Sequence, residues 1–97
     1  MRIISKKALR VFWDKHPDAE EPLKVWITRV KRAQWRTTAD VKRDFPSADF
    51  VGELTVFNIK HNDFRLISRI AFKQAIIYIR FILTHKEYDK EHWKNEC

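Results

Sequence analysis

Near the end of the chain, His85-Lys86-Glu87-Tyr88-Asp89-Lys90 puts an ionisable side chain at every position. Histidine changes charge around neutral pH, so His85 has the chemistry of a general acid or base. Lys60, His61 and Lys86 add positive charge that would favour a developing phosphorane. Arg65, Arg69 and Arg80 carry planar, permanently charged forks suited to phosphate. Tyr78 can stack on a base or hydrogen-bond to a phosphate, and Asn58 adds a further polar group. This inventory suits RNA cleavage by internal transfer. A base takes the proton of a ribose 2′-OH, cations stabilise pentacoordinate phosphorus, and an acid protonates the leaving 5′ oxygen.

The same residues also admit plainer roles. Arg69 opposite Tyr78 would serve equally as a cross-strand cation–π pair. Arg80 could pair with an acid elsewhere, and His85 could simply hydrogen-bond at a strand end. The face as a whole resists that account, because the nearest matching acids are Asp63 and Asp89. The residues alone favour a polyanion-binding surface and leave catalysis open.

The elements that must hold these groups follow from periodicity. Ala75 to Thr84 reads as a strand, and Tyr78 and Arg80 interrupt its apolar run on alternate positions. A strand buried on both faces would not carry an arginine at its centre. Two further strands, Glu53 to Ile59 and Phe64 to Phe72, precede it. Their connections, Lys60-His61-Asn62-Asp63 and a two-residue Lys73-Gln74 turn, are short enough to force antiparallel hairpins. The register that sorts the faces best sets Ile59 against Phe64, Phe57 against Leu66 and Asn58 against Arg65. In the second hairpin it sets Phe72 against Ala75, Arg69 against Tyr78, Ile67 against Arg80 and Arg65 against Ile82. One face is then apolar. The other is open and carries Asn58, Arg65, Arg69, Tyr78 and Arg80 among Val56, Ile67 and Ile82. Thr84 and His85 fall beside the turn and near Asn58 and Arg65.

Upstream, Met1 to Ser5 reads as a short strand. Ala8, Leu9, Phe12 and Trp13 share one face of a first helix that His16-Pro17-Asp18 ends. A second helix starts around Asp18, with Glu21 in capping-box spacing, and shows a Leu23, Trp26, Ile27, Val30 stripe. Thr37 or Thr38, helped by Asp40, caps a short third helix with Val41 and Phe45 buried. Pro46 ends it, and Phe45 to Gly52 reads as a loop. The expected fold is α+β, an N-terminal helix hairpin packed on an antiparallel β-sheet.

Ninety-seven residues make one domain, 1–97. With 44% hydrophobic residues, four Trp and seven Phe, it has material for a core. Trp13 and Trp26 fall on helix stripes, whereas Trp35 and Trp93 could be core or interface residues. The single Cys, Cys97, allows no internal disulfide, as in cytoplasmic proteins. No segment suits a signal peptide or a membrane span. The net charge of +7 points to nucleic acid, an acidic protein or a membrane surface, although Lys and Arg also decorate ordinary surfaces. His16, His61, His85 and His92 show no metal-ligand spacing, and Gly52, the one glycine, cannot make a phosphate loop. Neither a metal nor another cofactor is expected.

Several segments resemble the HigB family of type II toxins. They are Met1-Arg2-Ile3-Ile4-Ser5-Lys6-Lys7-Ala8-Leu9, Phe45-Pro46-Ser47-Ala48-Asp49, Val56-Phe57-Asn58-Ile59 with Asn62 and Arg65, and Leu83-Thr84-His85-Lys86-Glu87-Tyr88-Asp89-Lys90. The resemblance spans essentially the whole chain, in order. It implies a RelE-like α+β domain, a ribosome-dependent mRNA endoribonuclease (an mRNA interferase) that inhibits translation, and a HigA-type antitoxin partner in a hetero-oligomer. Asn58, Asn62, Arg65, His85 and Tyr88 match its motif positions. It implies His85 as acid or base, Arg65 as phosphate stabiliser and Tyr88 as orienter or proton donor. Lys60, His61, Asn62, Arg69, Tyr78, Arg80 and Lys86 would then bind RNA. The family often carries Gly-Gly where this chain has Lys60-His61. Two other readings use the same basic face: a non-catalytic RNA-binding module, and a domain that docks an acidic helix.

Overall fold

A computed structural model describes residues 1–61 and 63–90. Asn62, His92, Trp93 and Cys97 therefore lie outside the described residues. The elements in chain order are β1 (Arg2–Ile4), α1 (Lys6–Lys15), α2 (Glu20–Arg32), α3 (Thr38–Asp44), β2 (Asp49–Val51), β3 (Leu54–Ile59), β4 (Phe64–Ala71), β5 (Ile76–Thr84) and α4 (His85–Asp89). The strands form one sheet in the order β1-β5-β4-β3-β2. Two of them differ from expectation. β1 joins the sheet beside β5, in parallel, and β2 arises inside the Phe45–Gly52 stretch that reads as loop.

Side-chain caps set the helix starts. The Ser5 hydroxyl accepts from Lys7 N–H at 3.1 Å and starts α1. Thr37 and Asp40 make the expected capping box of α3, and the Asp40 carboxylate accepts from the Arg36 and Thr37 N–H groups. These donors, Arg36 first, hold the Asp40 carboxyl below the usual aspartate range. The start of α2 is a correction. Pro17–Ala19 form a 3-10 turn, Ala19 is the N-cap with no side-chain bond, and Asp18 faces Lys60 across the molecule.

The helix face of the sheet is the main core. Leu9 and Phe12 of α1 and Leu23, Trp26 and Val30 of α2 pack on Phe57, Ile59, Leu66 and Ile77. Phe57 is its hub: Trp26, Trp35 and Phe45 all lie with ring centroids 5.1–6.2 Å from it. Trp35 is thus a core residue, with its Nε1–H donated to the Asp44 carboxylate at 2.8 Å. Truncating Phe57 to alanine would cost about 3–5 kcal/mol.

Pairing in the first hairpin follows the expected register throughout, from Leu54 opposite Arg69 to Ile59 opposite Phe64. The second does not. Its connection is Phe72 to Ala75, with Ala75 at φ +57° and its N–H on the Phe72 carbonyl, in place of a two-residue turn. Arg69–Tyr78 and Ser68–Ile79 pair as expected, but a bulge then shifts the ladder. Ile67 faces Phe81 rather than Arg80, and Arg65 faces Leu83 rather than Ile82. Arg80 is the extra residue of the bulged strand. The shift exchanges faces: Ile82 joins the main core, while Phe81 and Leu83 cross to the other side. There, with Val51 and Tyr88, they cover Leu54, Val56 and Ile67 in a second apolar cluster. The face expected to be open is therefore partly packed.

Candidate active site

Asn58 and Arg65 are cross-strand neighbours at the end of the first hairpin, so both side chains project from the same face. Thr84 ends β5 and caps α4. Its hydroxyl accepts from Glu87 N–H at 3.2 Å, and the Glu87 carboxylate accepts from Thr84 N–H at 3.0 Å. The expected cluster of ionisable groups is thereby coiled into a helix. His85 N–H donates to the Asp63 carbonyl at 3.0 Å, which anchors α4 on the β3–β4 turn. Tyr88, one turn further on, lies under the Arg65 guanidinium, whose carbon is 5.3 Å from the ring centroid.

Arg65, Tyr88, Asn58 and Val56 form one side of a pocket of about 290 Å³. The other side is Lys42, Ser47, Ala48 and Asp49, from α3, β2 and the loop between them. The Lys42 ammonium donates to the carbonyls of Pro46 at 2.8 Å and Ala48 at 2.7 Å. It ties this wall to α3 while adding a positive charge to the pocket.

His85 lies outside that lining and is exposed. Its Nδ1 is 3.1 Å from the Asp89 carboxylate, four residues on along α4. A carboxylate at Nδ1 favours the tautomer with the proton there and leaves the Nε2 lone pair for another partner. Lys86 is exposed on the same helix.

Lys60 and His61 occupy the left-handed region, at φ +51° and +59°. Glycine would have no steric penalty there, whereas Lys60 and His61 carry side chains on the same backbone. Lys60 donates to the Asp18 carboxylate at 2.9 Å and approaches Asp63 at 3.7 Å. The bond to Lys60 holds the Asp18 carboxyl below the usual range, and the same bond raises Lys60 above an ordinary lysine.

The remaining cations are placed elsewhere. Arg69 and Tyr78 pair toward the opposite end of the sheet, and Arg69 has an acidic neighbour, Glu53, at 3.9 Å. Arg80 is exposed at the bulge. The five-residue face expected from the strands is thus two groups: Asn58 with Arg65 at one end, Arg69 with Tyr78 at the other. Sequence reasoning missed Lys42, Ser47, Asp49 and the pairing of Asp89. The last was readable as a four-residue spacing once a helix is assigned to His85–Asp89. Among the described residues, no group of three or more His, Cys, Asp or Glu could hold a metal ion. No helix among them is long and apolar enough to cross a membrane.

Comparison with known proteins adds independent findings. A family model described as "HigB_toxin, RelE-like toxic component of a toxin-antitoxin system" matches residues 19–91. The chain is 30% identical over 92 residues to the mRNA interferase toxin HigB of Escherichia coli (strain K12), covering 92% of this chain and 88% of the relative. The mRNA interferases HigB of Escherichia coli O157:H7 and of Shigella flexneri match with the same identity and coverage. On the family match and these relatives, the chain belongs to the HigB toxin family, the RelE-like toxic component of a toxin–antitoxin system.

Proposed function

We propose that this chain, a single domain over residues 1–97, is an mRNA endoribonuclease that stops translation by cutting messages on the ribosome. Its neutralising partner is a HigA-type antitoxin, with which it forms a hetero-oligomer in the cytoplasm. The relatives named above are mRNA interferases, which supports the activity. The observation that carries the site is the convergence of Arg65, Tyr88 and Asn58 in one pocket, one helical turn from a histidine held by a carboxylate.

In this reading the Nε2 of His85 removes the proton from a ribose 2′-OH. The 2′ oxygen bonds to phosphorus, the bond from phosphorus to the 5′ oxygen breaks, and that oxygen takes a proton from the Tyr88 hydroxyl. The products are a 2′,3′-cyclic phosphate and a free 5′-OH. Arg65 and Lys42 hold the non-bridging oxygens as charge develops, and Asn58 hydrogen-bonds the sugar or phosphate. Lys60, His61, Asn62 and Lys86 guide the strand around this end. Arg69, Tyr78 and Arg80 hold it further along the sheet.

The test is brief induction followed by mapping of RNA 5′ ends. New ends and arrested growth are expected, and a non-catalytic RNA-binding module would make no new ends. Full toxicity in both His85→Ala and Arg65→Ala would discard the site and leave the family membership standing.

A further inference from the structure

Between α2, the loop after α3 and the β3–β4 turn runs a groove of about 720 Å³. Val25, Trp26 and Phe45 make its apolar walls. Val25 is 57% exposed, one of two large aliphatic side chains left in solvent among the described residues. An isolated exposed valine is ordinary, but this one borders a hollow faced by two aromatic side chains. Trp26 is only 2% exposed, and its Nε1–H is buried with no acceptor among the described residues. Trp26 therefore backs the hollow from beneath, and Val25 and Phe45 make its more open wall.

Charge and continuity indicate what the groove takes. Arg29 sits over the Phe45 ring, 4.1 Å from its centroid, and donates to the Asp44 carbonyl. Lys60 and His61 close the end nearest the sheet. The one carboxylate on the wall, Asp44, is taken up by Trp35 at 2.8 Å and Arg43 at 3.8 Å. Ser47 and Asn58 line both this groove and the pocket of Arg65 and Tyr88. A strand lying across Arg65 therefore has a continuous path past Asn58 into the groove. An apolar wall for a base, basic side chains for its phosphate and continuity with the pocket of Arg65 suit a nucleotide. An acidic peptide would match the cations but would not need a path continuous with the pocket of Arg65.

We propose that this groove is a second nucleotide subsite, holding the base next to the scissile bond against Val25 and Phe45. The proposal rests on the nuclease reading, and its test separates the two. A short single-stranded RNA carrying thiouridine is bound to the full chain, irradiated and digested with trypsin. Adducts are expected on the peptide Val25–Arg29. Val25→Glu, on an exposed position, should weaken binding of that RNA about tenfold with an unchanged melting temperature, while Val25→Lys should preserve or strengthen it. If the wild type cuts RNA but gives no adduct on that peptide and Val25→Glu binds normally, the subsite is wrong and the nuclease reading stands. If induction makes no new 5′ ends in translated messages yet the adduct forms, the nuclease reading fails and the groove survives as an RNA site. If neither occurs, both fail. A Val25→Glu variant that loses the antitoxin but binds RNA normally overturns the proposal in favour of a protein-docking groove.

Discussion

The β3–β4 hairpin keeps one register from end to end, whereas the β4–β5 hairpin, sharing a strand with it, loses register between Ile67 and Ser68. In the first, the irregularity sits in the turn, where Lys60 and His61 adopt left-handed backbone. In the second, the turn has Ala75 at positive φ and the ladder carries an extra residue as well. The consequences differ. A regular ladder carries Asn58 and Arg65 on one face to the end where α4 begins. The bulge moves Phe81 and Leu83 onto that face, where they and Tyr88 cover Leu54, Val56 and Ile67. One hairpin aims the polar groups, and the other builds the apolar floor beside them.

Perturbing each hairpin separately tests this division. The largest effects belong at the end of the regular ladder. Arg65→Ala should lower RNA cleavage about 10²–10³-fold, the scale of losing one stabiliser of a developing oxyanion. His85→Ala should lower it about 10²–10⁴-fold, the scale of losing a general base. Single-turnover kinetics on a defined message would read both, and folding should be retained because His85 is exposed and Arg65 only half-buried.

The bulge comes next. Deleting Arg80 removes the extra residue and leaves Ile67 opposite Phe81, so Phe81 and Leu83 should keep their face, at a cost within about 2 kcal/mol in urea unfolding. Arg80→Ala keeps the residue count and should stay within about 0.5 kcal/mol. A loss of more than about 4 kcal/mol on deletion would mean that Arg80 is not the extra residue. The turns follow: His61→Gly and Ala75→Gly each relieve a left-handed residue, with a gain of up to about 1 kcal/mol. Ala75→Gly should gain more, because histidine tolerates that region better than alanine.

The smallest effect is the pH response of the Asp18–Lys60 bond, which fastens the first turn to the 3-10 segment. The folded-state Asp18 carboxyl is depressed by that bond. Its contribution is thus complete above the unfolded-state value and is lost as pH falls through the folded one. Lys60 is raised by the same bond, so its contribution is present below the unfolded lysine value and is lost as pH rises through the folded one. Melting temperatures of Asp18→Asn should lie slightly below wild type near neutrality and converge with it in strong acid and strong base.

The first hairpin was legible because alternation, a four-residue turn and paired polar positions all demanded the same register. Arg80 was not, because an arginine inside an apolar run looks like a face residue whether it is paired or inserted. Only the Ile67–Phe81 pairing distinguishes the two. β2 is three residues long and borrows its identity from β3, so Asp49-Phe50-Val51 carries no period of its own. β1 depends on a partner at the far end of the chain. Asn58 and Arg65 could be placed by register alone. Lys42 and Asp49 could not, because only β2 folds their loop against the sheet.

The insertion of β1 beside β5 also fixes a sequence of events. Arg2 faces Ile76 and Ile4 faces Tyr78, so the opening residues have no place in the sheet until the last strand exists. Such distant pairings form late, because their closure entropy is met before any contact compensates for it. α4, which brings His85 and Tyr88, follows that strand. The pairing of Asn58 with Arg65 needs only β3 and β4, and both precede β5 and α4 in the chain. A chain shortened before β5 would thus keep the Asn58–Arg65 ladder yet lack the groups proposed to act beside it.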